Sequence, residues 1–400
     1  MSILAGIFSG FTGALFVLFS FLFVLTVVVF IHELGHFLVA RWCGVKVQIF
    51  SIGFGKEVWG FYDRHGTRWR FAWVPLGGYV KFVDDENAAS VPSHEAQKVM
   101  TDAERAGAFH LKPLWQRAAV VAAGPAANFI MAILIFAGMF MSYGQVHMEP
   151  RIGKVLPGTP AAASGFQPGD LVTSINGQKI KDFIDIQQYV SSSPGRVLKF
   201  VVVRGDVLKT LTTKPVFIEQ NDRIAGKHKR PVIGIQASRL TSKVTHEKVG
   251  PIRSIGLGVD RTWGIITQTL SYLGDVVTSR QKPDQVGGLL RIADASGKVA
   301  RLGPEYIIQF IAFISVSVGL INLFPIPLLD GGHLMFYAYE AVRGRPLSER
   351  SQEIGFRIGF ALVLSLMIFA TWNDRGVVAR WLDLDKGEKV TVNPVKKQAQ

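Results

Sequence analysis

Cysteine is almost missing: Cys43 is the single one in 400 residues. That excludes an intramolecular disulfide framework and any thiolate-rich metal cluster. Charge is scarce too, at 18% Asp, Glu, Lys and Arg, against about 25% in ordinary soluble domains. Acids are the scarcer sign, 30 against 44 Lys and Arg, which leaves a net charge of +14. Such an excess suits anionic lipid headgroups or nucleic acid. No zinc finger or RNA-binding motif accompanies it, so the lipid reading is favoured and no nucleic-acid partner is expected. What fills the space is apolar: 48% hydrophobic residues, 28 of them Phe, and a mean hydropathy of +0.27. Neither a disordered chain nor a wholly soluble one has that composition.

The apolar excess lies in blocks. Residues 1–31, 118–146, 306–329 and 358–373 contain no Asp, Glu, Lys, Arg or His. A bilayer core of about 30 Å needs roughly 20 helical residues, and the first three blocks exceed that. The fourth is short, but Arg357 can snorkel and Trp372 suits an interface. The first block lacks a positive flank and is too long for a cleaved leader, so it reads as a retained span. Buried helices of a soluble protein are the bland alternative. The fold class expected is a polytopic α-helical membrane protein with four transmembrane helices. Segment 41–117 carries 11 Lys and Arg, and 331–357 carries Arg343, Arg345, Arg350 and Arg357. Short basic flanks favour the cytoplasm, whereas the domain-sized segment 147–305 can lie outside despite its 23 basic residues.

The first block ends in Phe30-Ile31-His32-Glu33-Leu34-Gly35-His36-Phe37. Histidines at i and i+4 share a helical face, so both imidazoles can reach one Zn²⁺, with Glu33 beside the attacking water. Three titratable groups within five positions of an apolar helix are costly in lipid and mark a functional site. The competing reading is a polar helix end at the interface. Catalytic zinc usually has three protein ligands, so one is still to be found. His65, His94, His110, His147, His228 and His246 sit in polar segments without a pairing. Asp330 is the better candidate. It closes Asn322-Leu-Phe-Pro-Ile-Pro-Leu-Leu-Asp330-Gly-Gly-His333, where Pro325 and Pro327 would break the helix and shape a cavity. A turn residue before Gly331-Gly332 is its alternative. With four spans the first and third run the same way, which brings His32, His36 and Asp330 to one face. A fifth span in 252–278 would part them. That stretch is interrupted by Asp260, Arg261 and Asp275 and reads as an amphipathic interfacial helix.

With HELGH at 32–36, Ser51-Ile-Gly-Phe-Gly55, Pro75-Leu-Gly-Gly-Tyr-Val-Lys81, Gly124-Pro125-Ala-Ala-Asn128 and Asn322 to Gly332, the sequence resembles the site-2 protease family of intramembrane zinc metallopeptidases. The resemblance spans most of the chain. It implies one Zn²⁺ per chain on His32, His36 and Asp330, Glu33 as catalytic base, and Asn322 near the scissile carbonyl. It further implies substrate contacts at Gly53, Gly55, Gly77 and Gly78, and structural roles near the site for Gly124, Pro125, Asn128, Pro325 and Pro327. The substrates implied are single-span membrane proteins, cut within or near the bilayer in regulated intramembrane proteolysis: anti-sigma factors already trimmed by another protease, or remnant signal peptides. The location implied is the bacterial inner (cytoplasmic) membrane, with the active site toward the cytoplasmic side.

Two segments between the spans have patterns of their own. Arg68-Trp-Arg-Phe-Ala-Trp-Val74 alternates as a strand does, after tight turns at Gly53 and Gly55. A sheet there could lend its edge to an unwound substrate or only pack on the helices, and both readings stay open. Ile152 to Gly177 offers strand, Pro/Gly turn, short Ala helix, Pro-Gly-Asp turn and a strand ending in Asn-Gly, followed by a helical stretch near 182–192 and a hairpin at 197–213. This resembles a bacterial PDZ domain, with a peptide or protein ligand implied. The domains expected are a first transmembrane helix (1–42), a cytoplasmic membrane-associated β region and interfacial segment (43–117), a second transmembrane helix (118–146), the PDZ domain (147–240) and an extracytoplasmic amphipathic linker (241–305). After them come a third transmembrane segment (306–332), a cytoplasmic loop (333–353), a fourth transmembrane helix (354–373) and a tail (374–400). A non-catalytic PDZ-bearing membrane scaffold is the alternative function, opposed by an intact Glu33 between two histidines. A transporter with broken helices is opposed by the lack of two symmetric halves.

Overall fold

A computed structural model of the chain describes residues 2–85, 100–222, 226–237, 244–278, 283 and 287–375. Part of the expected interfacial segment (86–99) and most of the tail (376–400) lie outside the described residues. The chain forms two compact units, 1–132 with 265–400, and 133–264.

The first unit is built on long helices. Four stretches among the described residues are long and apolar enough to cross a bilayer: Thr12–Trp42 of α1 (Ser2–Trp42), Leu114–Tyr143 (α3), Pro304–Asn322 (α8) and Arg350–Asn373 of α10 (Glu349–Asn373). Large side chains such as Phe19, Ile358, Phe360 and Ile368 are exposed along them. Water would penalise that arrangement, and hydrocarbon favours it.

The third apolar block does not continue as one helix to 332. Helix α8 stops at Asn322, because Pro325 and Pro327 cannot donate the next helical bonds and push their predecessors out of the helical region. Residues 323–329 form a tight irregular turn, closed by Ile326 N–H to the Phe324 carbonyl (2.7 Å) and Leu329 N–H to the Ile326 carbonyl (3.0 Å). Within 333–353, expected as a loop between spans, the first half is helical: it belongs to helix α9 (Asp330–Arg343), ended by Gly344 at φ +71°. Ser348 then caps α10 by accepting the Ser351 N–H.

Between α1 and α3 the chain makes an antiparallel hairpin, β1 (Val47–Tyr62) and β2 (Arg68–Phe82). Its register is folded back on itself. Residues 49–52 pair with 78–81 on one side and with 68–71 on the other, and 57–62 pair with 68–72. Among the described residues, segment 78–82 is therefore paired along one side only and forms an edge of the sheet. The sheet is fixed to α1 by Phe30, Leu34 and Phe37, a stripe at helical spacing that packs around Phe50. Phe50 is fully buried and stacks on Trp69 at 4.2 Å, a burial that stabilises by about 1.5–3 kcal/mol. At the turn, burial raises the Asp63 carboxyl, but N–H groups of Thr67 and His65, the Trp69 indole and Arg41 outweigh it and hold Asp63 below the usual carboxylate range. Short helix α2 (Asp102–Gly107) leads toward α3.

Helix α7 (Leu289–Ala300) packs on α1, with Gly297 against Val17. Its N-terminus is held by the buried Asp374 carboxylate, which accepts from the N–H groups of Gly288 (2.9 Å) and Arg291 (3.1 Å). Helix α6 (Pro251–Val277), which begins in the second unit, is amphipathic. It is not among the helices apolar enough to span.

The second unit is β-rich. A four-stranded antiparallel sheet runs in the order β5 (Gln178–Lys179), β4 (Leu171–Ile175), β6 (Leu198–Arg204), β7 (Val207–Thr213). The two-residue turn Asn176-Gly177, at φ 49° and 83°, joins β4 to β5, as the primed hairpin turns require. Strand β3 (Ile152–Val155) pairs with β8 (Ile235–Ala237). Helices α4 (Pro160–Ala163) and α5 (Phe183–Ser191) flank them. Ile152, Ile175, Ile186, Leu198 and Phe200 form the core. The elements follow the order expected for 152–213.

Candidate active site

His32, Glu33 and His36 lie on α1, ten to six residues before its end at Trp42. Helical spacing sends the two histidines to one face and Glu33 to the next, with Val29 and Phe37. The histidine face meets α3. Gly35 packs so closely there that a Cβ would lie 2.3 Å from the Ala123 carbonyl oxygen, and a Cβ on Gly124 would lie 2.3 Å from His36 Nε2 and 2.9 Å from His32 Cε1. Only a bare backbone leaves room for both rings. The Glu33 face meets the sheet edge: a Cβ on Gly78 would lie 2.9 Å from Glu33 Cγ and 3.0 Å from Val29 Cγ1.

Asp330, the first residue of α9, closes the group across almost 300 residues of sequence. Its Oδ2 is 3.1 Å from His32 Nε2 and its Oδ1 is 3.5 Å from His36 Nε2, and the two Nε2 atoms are 3.2 Å apart. Bonds of about 2.0–2.1 Å to a tetrahedral zinc place ligand atoms about 3.3–3.4 Å apart; the two imidazole nitrogens stand near that spacing from each other, and each has one of the two Asp330 oxygens near it as well. The second nitrogens agree. His36 Nδ1 donates to the Val120 carbonyl at 2.8 Å, which leaves Nε2 with its lone pair toward the other donors. His32 Nδ1 is 3.2 Å from the buried Asn128 amide. Among the described residues, Asn128 Oδ1 and Asp330 Oδ2 are buried with no donor in hydrogen-bonding geometry. A half-turn of the Asn128 amide lets Oδ1 accept from His32 Nδ1–H, and a cation satisfies Asp330. The residues fit a metal ion, with the outer hydrogen bonds that usually orient metal-binding imidazoles.

The remaining expected residues fall into two groups. Asn322 ends α8 with its amide nitrogen 3.4 Å from His32 Nε2. On the same face of α8, the Ser315 hydroxyl donates to the Asn128 carbonyl (2.9 Å) and Gly319 packs beside the Pro125 carbonyl. Pro325 and Pro327 shape the 323–329 turn that delivers Asp330, and Gly359 of α10 packs against the Pro327 carbonyl. Gly78 touches Glu33, whereas the neighbours of Gly53 and Gly77 are the sheet's own Val74 and Phe54, and Gly55 faces open space. Sequence reasoning did not find Val120, whose contribution is a main-chain carbonyl and leaves no side-chain signal. On α9, three residues after Asp330, burial pushes the His333 imidazole below its ordinary value against the pull of the Asp330 carboxylate.

A second cluster, Asp84, Asp85 and His110, also brings donor atoms close together. Asp84 accepts from the Phe109 and His110 N–H groups (2.8 and 2.7 Å), and Asp85 accepts from Phe82 N–H (2.8 Å) and pairs with His110 Nε2 (3.0 Å). Its oxygens are spent on pinning the sheet exit to the start of α3.

Comparison with known proteins agrees with this geometry. The model of peptidase family M50 matches residues 20–366. The chain is 46% identical over 355 residues to a Rhizobium meliloti protein named "Putative zinc metalloprotease", covering 89% of this chain and 95% of that one. It is 41% identical over 385 residues to Metalloprotease MmpA of Caulobacter vibrioides, covering 90% and 96%. The PDZ domain of an SdrC-like protein from Listeria monocytogenes aligns with 23% of this chain and 86% of its own at 26% identity and a TM-score of 0.19.

Proposed function

The chain belongs to peptidase family M50 and is a zinc metalloprotease, and we propose that its substrates are single-span membrane proteins, cut within or near their transmembrane segments. One observation carries the reading: on α1, a helix apolar enough to span a bilayer, two histidines meet the Asp330 carboxylate at metal-ligand spacing while Glu33 meets the sheet at Gly78. Held by His32, His36 and Asp330, zinc would supply a Lewis acid for the peptide carbonyl and lower the pKa of a water. Glu33 takes the proton of that water on its carboxylate and returns it to the leaving amine nitrogen. In this reading the Asn322 amide, 3.4 Å from His32 Nε2, donates to the carbonyl oxygen. A helical substrate shields its peptide bonds, so it must unwind first, and the sheet edge at Gly78, beside Glu33, is where an extended strand would add.

The same proposal covers location and partners. Four apolar helices and their basic flanks support a multi-pass protein of the bacterial inner membrane, with the lipid bilayer as its solvent and the active site toward the cytoplasm. Residues 147–240 then form an extracytoplasmic PDZ domain with a peptide or protein ligand, and the process is regulated intramembrane proteolysis of anti-sigma factors or remnant signal peptides.

Purified protein in detergent should contain one zinc per chain and cleave a model single-span peptide. A strong chelator should abolish cleavage, and added Zn²⁺ should restore it. Cleavage that survives complete loss of zinc would sink the mechanism.

The second unit holds no donor set like that of the first among the described residues, so it should regulate access and perform no chemistry. Replacing about 150–240 by a flexible linker should leave cleavage of a short, trimmed substrate within about threefold, while substrates with a bulky folded outer domain begin to be cut, since loop-closure costs grow slowly with length. If the trimmed form is no longer cut while zinc stays bound, this unit delivers substrate and the filter reading is wrong.

A further inference from the structure

The third metal ligand begins a helix whose flanks are irregular, the 323–329 turn before α9 and the Gly344 turn after it. What ties α9 to α3 lies at its far end. Arg117 Nη2 donates to Glu340 Oε1 at 2.6 Å and Nη1 to Oε2 at 3.1 Å. Both side chains are shielded, at 14% and 17% exposed. The same guanidinium donates through Nε to the Lys112 carbonyl (3.1 Å) and lies 5.0 Å from the centre of the Tyr337 ring.

Two stripes meet through this pair. On α3, Arg117, Val120, Gly124 and Asn128 follow one another at three or four residues and so share a face. The last three of them are the residues lodged against His36 and His32. On α9, Asp330, His333, Tyr337 and Glu340 share a face by the same spacing. Helix stability does not account for the pair. Arg117 sits near the start of α3 and Glu340 near the end of α9, each at the end where the helix dipole disfavours its charge. A bidentate guanidinium–carboxylate pair also has a narrow geometry. A slip of α9 by one residue, about 1.5 Å, breaks it and carries Asp330 off its spacing from the imidazoles.

We propose that Arg117 and Glu340 are positioning residues for the metal site: their pair sets the rotation and height of α9 on α3, and thereby the distance of Asp330 from His32 and His36. The proposal rests on the zinc reading above. It is tested on the full-length protein in detergent with Arg117→Gln, Arg117→Lys, Glu340→Gln and the swap Arg117→Glu with Glu340→Arg. Three readouts are taken: zinc affinity by chelator competition, the visible spectrum of the Co²⁺-substituted protein, and the thermal midpoint. Each Gln variant should bind zinc about tenfold more weakly, the scale for lost outer-shell support, and should alter the cobalt bands. Arg117→Lys, which keeps the charge without the fork, should fall between. The swap should recover most of the affinity, since it restores the pair and puts both charges at their favoured helix ends. Folded Gln variants with a lower midpoint but wild-type zinc affinity and cobalt spectrum would reduce the pair to scaffold and overturn the proposal. So would a folded swap that recovers nothing. Wild-type protein that binds no zinc would overturn the zinc reading, and this proposal with it.

Discussion

Glu33→Gln should keep its zinc and lose about 10²–10⁴-fold in cleavage rate, the range that a positioned general base contributes. The expectation follows from which face of α1 each residue occupies. His32 and His36 point to α3 and Asp330, and their Nε2 atoms complete the donor set with the Asp330 carboxylate. Glu33 points a step around the helix, toward Gly78 at the sheet edge. Gln has the same shape and cannot accept the water proton, so the substitution removes the base and leaves the ligands in place. Zinc content by mass spectrometry and cleavage of a single-span substrate should be measured on the same preparation. Near wild-type cleavage would mean that another group is the base. Loss of zinc would mean that Glu33 is itself a ligand, and the division of roles along α1 would have to be redrawn.

How much of this could be read beforehand depended on whether the information sat in one segment or between segments. The pair His32 and His36 declares itself, since i and i+4 on one helix is a local fact. Asp330 was reached by counting spans, a coarse global constraint that needed only the direction of each helix. The arrest of α8 was expected from Pro325 and Pro327, but helix α9 was not. Its apolar residues (Leu334, Phe336, Tyr337) are mixed with Glu340 and Arg343 and follow a proline-rich turn, so the stretch reads as a loop. The back-folded sheet was half visible. Alternation marked 68–74 as a strand, but nothing local shows that 49–52 has neighbours on both sides, or that 78–82 is left as an edge. Contributions made by the backbone or by the lack of a side chain were the hardest to see. The Val120 carbonyl that orients His36 has no residue signature, and Gly124 looks like any small residue in an apolar helix.

Gly124→Ala is for that reason the sharper test of the site. Helix propensity alone favours alanine over glycine by about 1 kcal/mol, so without a specific neighbour the change should stabilise α3. The neighbours are specific. The added methyl would stand 2.3 Å from His36 Nε2, 2.5 Å from His36 Cε1 and 2.9 Å from His32 Cε1, well inside the roughly 3.5–4.0 Å of a comfortable carbon contact. Neither ring can simply swing away. His36 is held through Nδ1 by the Val120 carbonyl, and His32 through Nδ1 by Asn128, which is buried between α3 and α8. The methyl must therefore push Nε2 of His36 off its spacing from Asp330, and zinc affinity should fall by at least about 10–100-fold, the cost of disturbing ligand orientation. Cleavage should fall with it at limiting zinc. Gly138→Ala is the control. It lies on the same helix, and a Cβ there meets nothing within 4 Å, so it should bind zinc and cleave as the wild type does. Stoichiometric zinc at wild-type affinity in a folded Gly124→Ala protein would show that the imidazoles have more freedom than their hydrogen bonds allow, and that the ion is held elsewhere than at the Nε2 atoms.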